Sequence, residues 1–108
     1  MDKLSALKAF DALSQDTRLE IFRLLVKTGP EGLCVGEIVT HFAAKQNTIS
    51  ANLAVLAQAG LIASRRDGRS VRYFAHMEGI SGLIDYLVAD CCQGRPELCA
   101  PLAQMCGS

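Results

Sequence analysis

Val35 to Gly60 reads VGEIVTHFAAKQNTISANLAVLAQAG, and the spacing of its apolar residues points to two short helices. Ile38, Val39 and Phe42, then Ile49, Leu53 and Leu56, recur at intervals of three and four on either side of a short break at Ala43 to Lys45. That is helical periodicity interrupted once. Two short helices joined so tightly cross steeply, and packing Ile38 and Phe42 against Ile49 and Leu53 leaves the opposite face of the second helix free, as in a helix-turn-helix. On that face, near the start of the second helix, stand Gln46, Asn47, Thr48, Ser50 and Ala51. Amides pair with adenine, hydroxyls with several base edges, and a small residue tolerates a thymine methyl, so these types suit a major-groove reader. The plainer reading is a solvated polar face on an ordinary helix pair.

The next residues of the chain strengthen the first reading. Gly60 ends the second helix, and Leu61 to Arg66 and Ser70 to Ala75 are two runs with β-branched and aromatic residues around Asp67-Gly68. That dipeptide favours a tight type I′ hairpin. The hairpin is expected to be a wing, with Arg65, Arg66, Arg69 and Arg72 set against the single acid Asp67. Guanidinium forks beside a reading helix suit phosphate contacts or insertion into a minor groove.

The charge along the chain agrees. The 108 residues have a formal net charge of zero, which hides a separation: residues 1–44 carry −1, residues 45–76 carry +4 and residues 77–108 carry −3. Positive charge is concentrated on the reading helix and the wing, where phosphate contact needs it. Half of the residues are hydrophobic, yet no apolar run approaches the length that spans a bilayer, and MDKLSALKAF has no apolar segment of secretory type. A cytoplasmic protein with no membrane contact is expected.

Around this centre, Lys3 to Leu13 reads as a first helix with Leu4, Leu7 and Phe10 on one stripe, Ala6 and Leu13 beside it. Ser14 to Asp16 offers N-cap side chains for a second helix through about Lys27, which Gly29, Pro30 and Gly32 stop. Glu78 to Cys92 reads as a last long helix with Ile80, Leu83, Ile84, Leu87 and Val88 at helical spacing. Gly79 and Gly82 weaken it by roughly 1 kcal/mol each relative to Ala, so packing must sustain it. The expected architecture is mainly α with a small β-hairpin, a winged helix-turn-helix in the order α-α-α-α-β-β-α. Its first and last helices carry more apolar surface than a small core covers. A homodimer is therefore expected, joined through Leu4, Leu7, Leu83, Ile84, Leu87 and Val88. Residues 1–92 would form the DNA-binding and dimerisation domain, and residues 93–108 a cysteine-containing tail. Neither His41 nor His76 belongs to a nucleophile-base arrangement, and no paired carboxylates in an acid/base context are evident, so no enzyme is expected.

Five short motifs in order, Ser14-Gln15-Asp16-Thr17-Arg18-Leu19, Leu33-Cys34-Val35-Gly36-Glu37-Ile38, Thr48-Ile49-Ser50 with Leu53-Ala54-Val55-Leu56, Ala59-Gly60-Leu61-Ile62, and Arg69-Ser70-Val71-Arg72-Tyr73, resemble signatures of the ArsR/SmtB repressors. The resemblance runs from about residue 5 to residue 90. It implies a homodimeric winged helix-turn-helix repressor that leaves double-stranded operator DNA when a metal or metalloid ion binds. It does not name the ion, because members carry their sensing sites on different helices.

The cysteines bear on that choice. There are five, Cys34, Cys91, Cys92, Cys99 and Cys106, and the last four give C-C-x6-C-x6-C in CCQGRPELCAPLAQMC. An odd number in a chain without an export signal favours reduced, coordinating or reactive thiols over a disulfide framework. Gln93-Gly94 is placed to end the last helix and Pro96 hinders its restart, which would let the chain turn back and bring Cys99 to the vicinal pair. Thiolate ligands exclude magnesium and calcium; zinc normally takes four ligands, often from paired C-x2-4-C spacings absent here. Trivalent arsenic or antimony, with a lone pair in the fourth direction, is satisfied by three sulfurs. The inducer is expected to be arsenite, As(III), or antimonite, bound by Cys91, Cys92 and Cys99, with Cys106 able to replace one or to complete a four-thiolate site; no organic cofactor is expected. Many arsenic-sensing relatives carry Cys-Val-Cys where this chain has Cys34-Val35-Gly36, so Cys34 alone reads as a small buried hydrophobe. The rival readings are a zinc- or cadmium-responsive repressor, a thiol-redox-responsive repressor, and a metalloid carrier that does not bind DNA.

Overall fold

Asp2 opens the first helix. Its carboxylate accepts from the Ser5 N–H at 2.8 Å, and α1 runs Lys3–Leu13 in the computed structural model, which describes residues 1–88. α2 follows at Asp16–Thr28, capped by the Gln15 side chain, whose Oε1 accepts from the Arg18 N–H at 2.8 Å. The expected Ser14-to-Asp16 cap is thus supplied by its middle residue, the one with an amide. Gly29 ends α2 at φ 88° with its N–H on the Leu25 carbonyl.

Leu33–Cys34 form a short strand, β1, which the sequence pattern did not reveal. α3 (Val35–Phe42), α4 (Gln46–Gln58), the hairpin strands β2 (Ile62–Asp67) and β3 (Ser70–Ala75), and α5 (Met77–Val88) complete the order α-α-β-α-α-β-β-α. The three strands pair antiparallel in the order β1-β3-β2, with Leu33 opposite Tyr73 and Cys34 opposite Arg72. The hairpin turns at Gly68-Arg69, one residue later than expected, because Asp67 still pairs with Ser70. Gly68 has φ 64° while φ at Arg69 is negative, which is the sign pattern of a II′ turn; a I′ turn needs positive φ at both central residues. The last helix begins at Met77, and its expected end at residues 89–92 lies outside the described residues.

The core is made by Ile21, Phe22 and Leu25 of α2, Ile38 of α3, Ile49, Leu53 and Leu56 of α4, Leu61, Ile62 and Leu83. α1 joins it through Ala6, Ala9 and Ala12, a small-residue row that lets the helix lie close against its neighbours. Leu4, Leu7 and Phe10 consequently face outward. No helix among the described residues is long and apolar enough to cross a membrane.

Candidate nucleic-acid interface

The turn between α3 and α4 is made by Ala43 in the left-handed conformation, φ 51° and ψ 40°, with its N–H on the Val39 and Thr40 carbonyls. It turns the chain sharply enough for Ile38 and Ile49 both to join the core while the polar residues at the start of α4 face outward. Gln46, Asn47, Thr48, Ser50 and Ala51 are all exposed, the outward row that the sequence anticipated. No acid lies in the first turn of α4 and Lys45 precedes it, so the positive end of the helix dipole is left uncompensated there.

Asn52 is half-buried and differently employed. The Arg18 guanidinium donates to its Oδ1 at 3.5 Å, to the Ala12 carbonyl at 2.7 Å and to the Asp11 carbonyl at 3.4 Å. Arg18 thereby ties the end of α1 and the start of α2 to the outward helix, a role invisible in the sequence because two of its acceptors are backbone carbonyls.

The four wing arginines divide into two pairs. Arg65 donates to the carbonyls of Pro30 and Glu31 at 2.7 and 3.2 Å, and Arg72 to those of Glu31 and Gly32 at 2.8 and 3.0 Å. Arg72 also lies 3.5 Å from the Glu37 carboxylate. Arg65 and Arg72 thus each commit two N–H groups to main-chain carbonyls of the protein itself. Arg66 and Arg69 are exposed and make no hydrogen bond or ion pair among the described residues. Glu37 also accepts the Cys34 N–H at 3.0 Å; this bond, helped by Arg72, holds its carboxyl below the usual glutamate range.

The candidate dimer residues are also divided. Leu4, Leu7 and Leu87 are 64%, 55% and 54% exposed, whereas Ile84 and Val88 are half-buried. Leu83 is corrected: at 3% exposed it belongs to the chain's own core and offers nothing to a partner. Phe10 and Met1 add to the exposed apolar surface. Cys34 is half-buried just ahead of α3, and among the described residues no three His, Cys, Asp or Glu side chains come together as a metal group. The expected thiolate set, Cys91, Cys92, Cys99 and Cys106, lies outside the described residues.

Known proteins resemble this chain in sequence or in fold. A helix-turn-helix domain family matches residues 13–65. An uncharacterised HTH-type transcriptional regulator of Bacillus subtilis, YbzH, is 30% identical over 96 residues, covering 78% of this chain and 96% of its own length. The arsenical resistance operon repressor of Escherichia coli is 37% identical over 73 residues, covering 68% of this chain, which spans only 61% of that repressor. Among solved structures, the homodimeric winged helix-turn-helix DNA-binding domain of a possible ArsR-family regulator from Mycobacterium bovis is similar at a TM-score of 0.64 and 32% identity. The match covers 80% of this chain and 79% of that one. The outward row on α4, the wing beside it and these likenesses converge, and the chain belongs to the ArsR family of winged helix-turn-helix transcriptional regulators.

Proposed function

We propose that the protein is a homodimeric repressor of its own upstream region, released from operator DNA when trivalent arsenic or antimony binds the thiolates of Cys91, Cys92 and Cys99. The observation that carries the DNA-binding half is the exposed row Gln46, Asn47, Thr48, Ser50 and Ala51 beside the exposed guanidiniums of Arg66 and Arg69. The α4 row meets base edges, Arg66 and Arg69 meet phosphate, and Arg65 and Arg72 serve from within the wing. Leu4, Leu7 and Leu87, with Ile84 and Val88, face a second copy, which sets two α4 helices about 34 Å apart, one turn of DNA.

The sensing half rests on the donor set and on relatives named for arsenical resistance. Three thiolates suit a soft ion with a lone pair, and the described residues contribute only the solitary Cys34. In this reading residues 1–92 bind DNA and form the dimer, residues 93–108 complete the ion site, and the protein works in the cytoplasm without catalysis. A gel-shift series on the chain's own upstream DNA, with arsenite, antimonite, methylarsenite, zinc and peroxide, tests it. Release by arsenite or antimonite, lost in Cys92→Ser while DNA binding persists, is the expected result. Release by zinc or by peroxide alone would replace the inducer, and absence of any shifted complex would remove the repressor itself.

A further inference from the structure

We propose that Arg65 and Arg72 act as positioning residues: by gripping the carbonyls of residues 30–32 they hold the wing in the stance from which Arg66 and Arg69 reach DNA. This rests on the DNA-binding reading above and adds a division of labour within the wing. Arg65 and Arg72 stand directly opposite each other in the β2–β3 register. Like charges so placed repel. Here four hydrogen bonds of 2.7–3.2 Å onto three backbone carbonyls, and the Glu37 carboxylate at 3.5 Å, offset that repulsion. Arg65 also lies over the ring of its diagonal neighbour Phe74, 5.5 Å from the centroid, which limits its freedom to swing outward.

The acceptor loop is itself held in place. Gly32 has φ 68°, and a Cβ there would collide with the Tyr73 carbonyl, so the loop runs against β3 more closely than any other residue would permit. β1 continues from it, with Cys34 opposite Arg72, and the Cys34 N–H is bound to the same Glu37 that faces Arg72. The end of α2, the start of α3 and the wing therefore meet at one joint. Beyond it the ribbon is two strands wide, and a free two-stranded ribbon is marginal in water. Arg66 and Arg69 project from that outer part, so their position relative to α4 depends on the grip behind them.

A mutant cycle on a duplex from the upstream region, read as Kd by fluorescence anisotropy, tests the proposal. Arg66→Gln/Arg69→Gln removes the outer cations, and Arg72→Gln is then introduced with and without that pair; circular dichroism and thermal melts accompany each variant. Alone, Arg72→Gln is expected to weaken binding by about tenfold at a nearly unchanged melting temperature, and in the Arg66→Gln/Arg69→Gln background by less than about twofold. Arg65→Gln is expected to behave alike. An equal loss in both backgrounds would overturn the proposal, because it would make Arg72 an independent phosphate ligand. A lowered melting temperature with unchanged Kd would overturn it in favour of a purely structural role. Absence of duplex binding by the unaltered protein would overturn it together with the repressor reading, an outcome distinguishable from the other two.

Discussion

Ala43 carries the turn of the helix-turn-helix at φ 51°, a left-handed conformation that costs an L-residue roughly 1–2 kcal/mol. Ala43→Gly removes the Cβ responsible and is expected to stabilise the fold by up to about 1 kcal/mol, reduced by the extra entropy of glycine in the unfolded chain. A urea midpoint that rises at constant slope would agree; one that falls would mean the turn is unstrained. Glu37 makes a prediction of a different kind. Its carboxyl is held below the ordinary value of 4.5, first by the Cys34 N–H and then by Arg72. A depressed folded-state pKa adds stability that is present above the unfolded value and lost as pH falls through the folded one. Glu37→Gln should therefore be less stable than the unaltered protein at pH 7, with the gap closing as pH drops below 4.5 in parallel thermal melts. A gap that stays constant down to pH 3 would show that the carboxylate charge adds nothing to the joint.

Where α5 starts, it is fastened to the end of α4. The His76 N–H donates to the Leu61 carbonyl at 2.9 Å, and Gly79 lies so close to Gly60 that a Cβ would strike the Gly60 carbonyl. Gly79→Ala is expected to cost about 1–3 kcal/mol, as overpacking does. Gly82→Ala, whose Cβ would meet only the tip of Met1 among the described residues, should be neutral or stabilising by about 0.5–1 kcal/mol. Equal stabilities of the two variants by denaturant melts would contradict the close contact. Helix periodicity made α3 and α4 readable from the sequence, and the turn residues made the hairpin readable. Two-residue β1 has no period to detect, and its pairing of Leu33 with Tyr73 spans a long stretch of chain. The division of the wing arginines was hidden for a related reason. Their partners are carbonyls of residues 30–32, and a main-chain acceptor leaves no mark in the sequence. On α1 the apolar stripe was legible, but only packing shows that Ala6, Ala9 and Ala12 take the core side and leave the leucines outside.

At the scale of the whole molecule, the exposed apolar surface of α1 and α5 is what a second copy would cover, and the dimer would in turn present two α4 rows and two wings to one face of DNA. Leu7→Glu with Leu87→Glu introduces charge at positions 55% and 54% exposed in the single chain. These changes should leave the core folded, shift the protein to monomer in sedimentation velocity and abolish operator binding; a dimer that survives both would move the interface elsewhere. That each outward α4 residue was legible follows from amphipathicity, and the candidate thiolates Cys91, Cys92 and Cys99, outside the described residues, were legible from their spacing and donor chemistry. If ion and operator are coupled in this way, the coupling is reciprocal. Isothermal titration of arsenite into the protein, alone and saturated with a duplex from its upstream region, reads that coupling. Reciprocity predicts that the operator weakens arsenite binding by about 5–150-fold. Equal affinities with and without DNA would contradict the coupling.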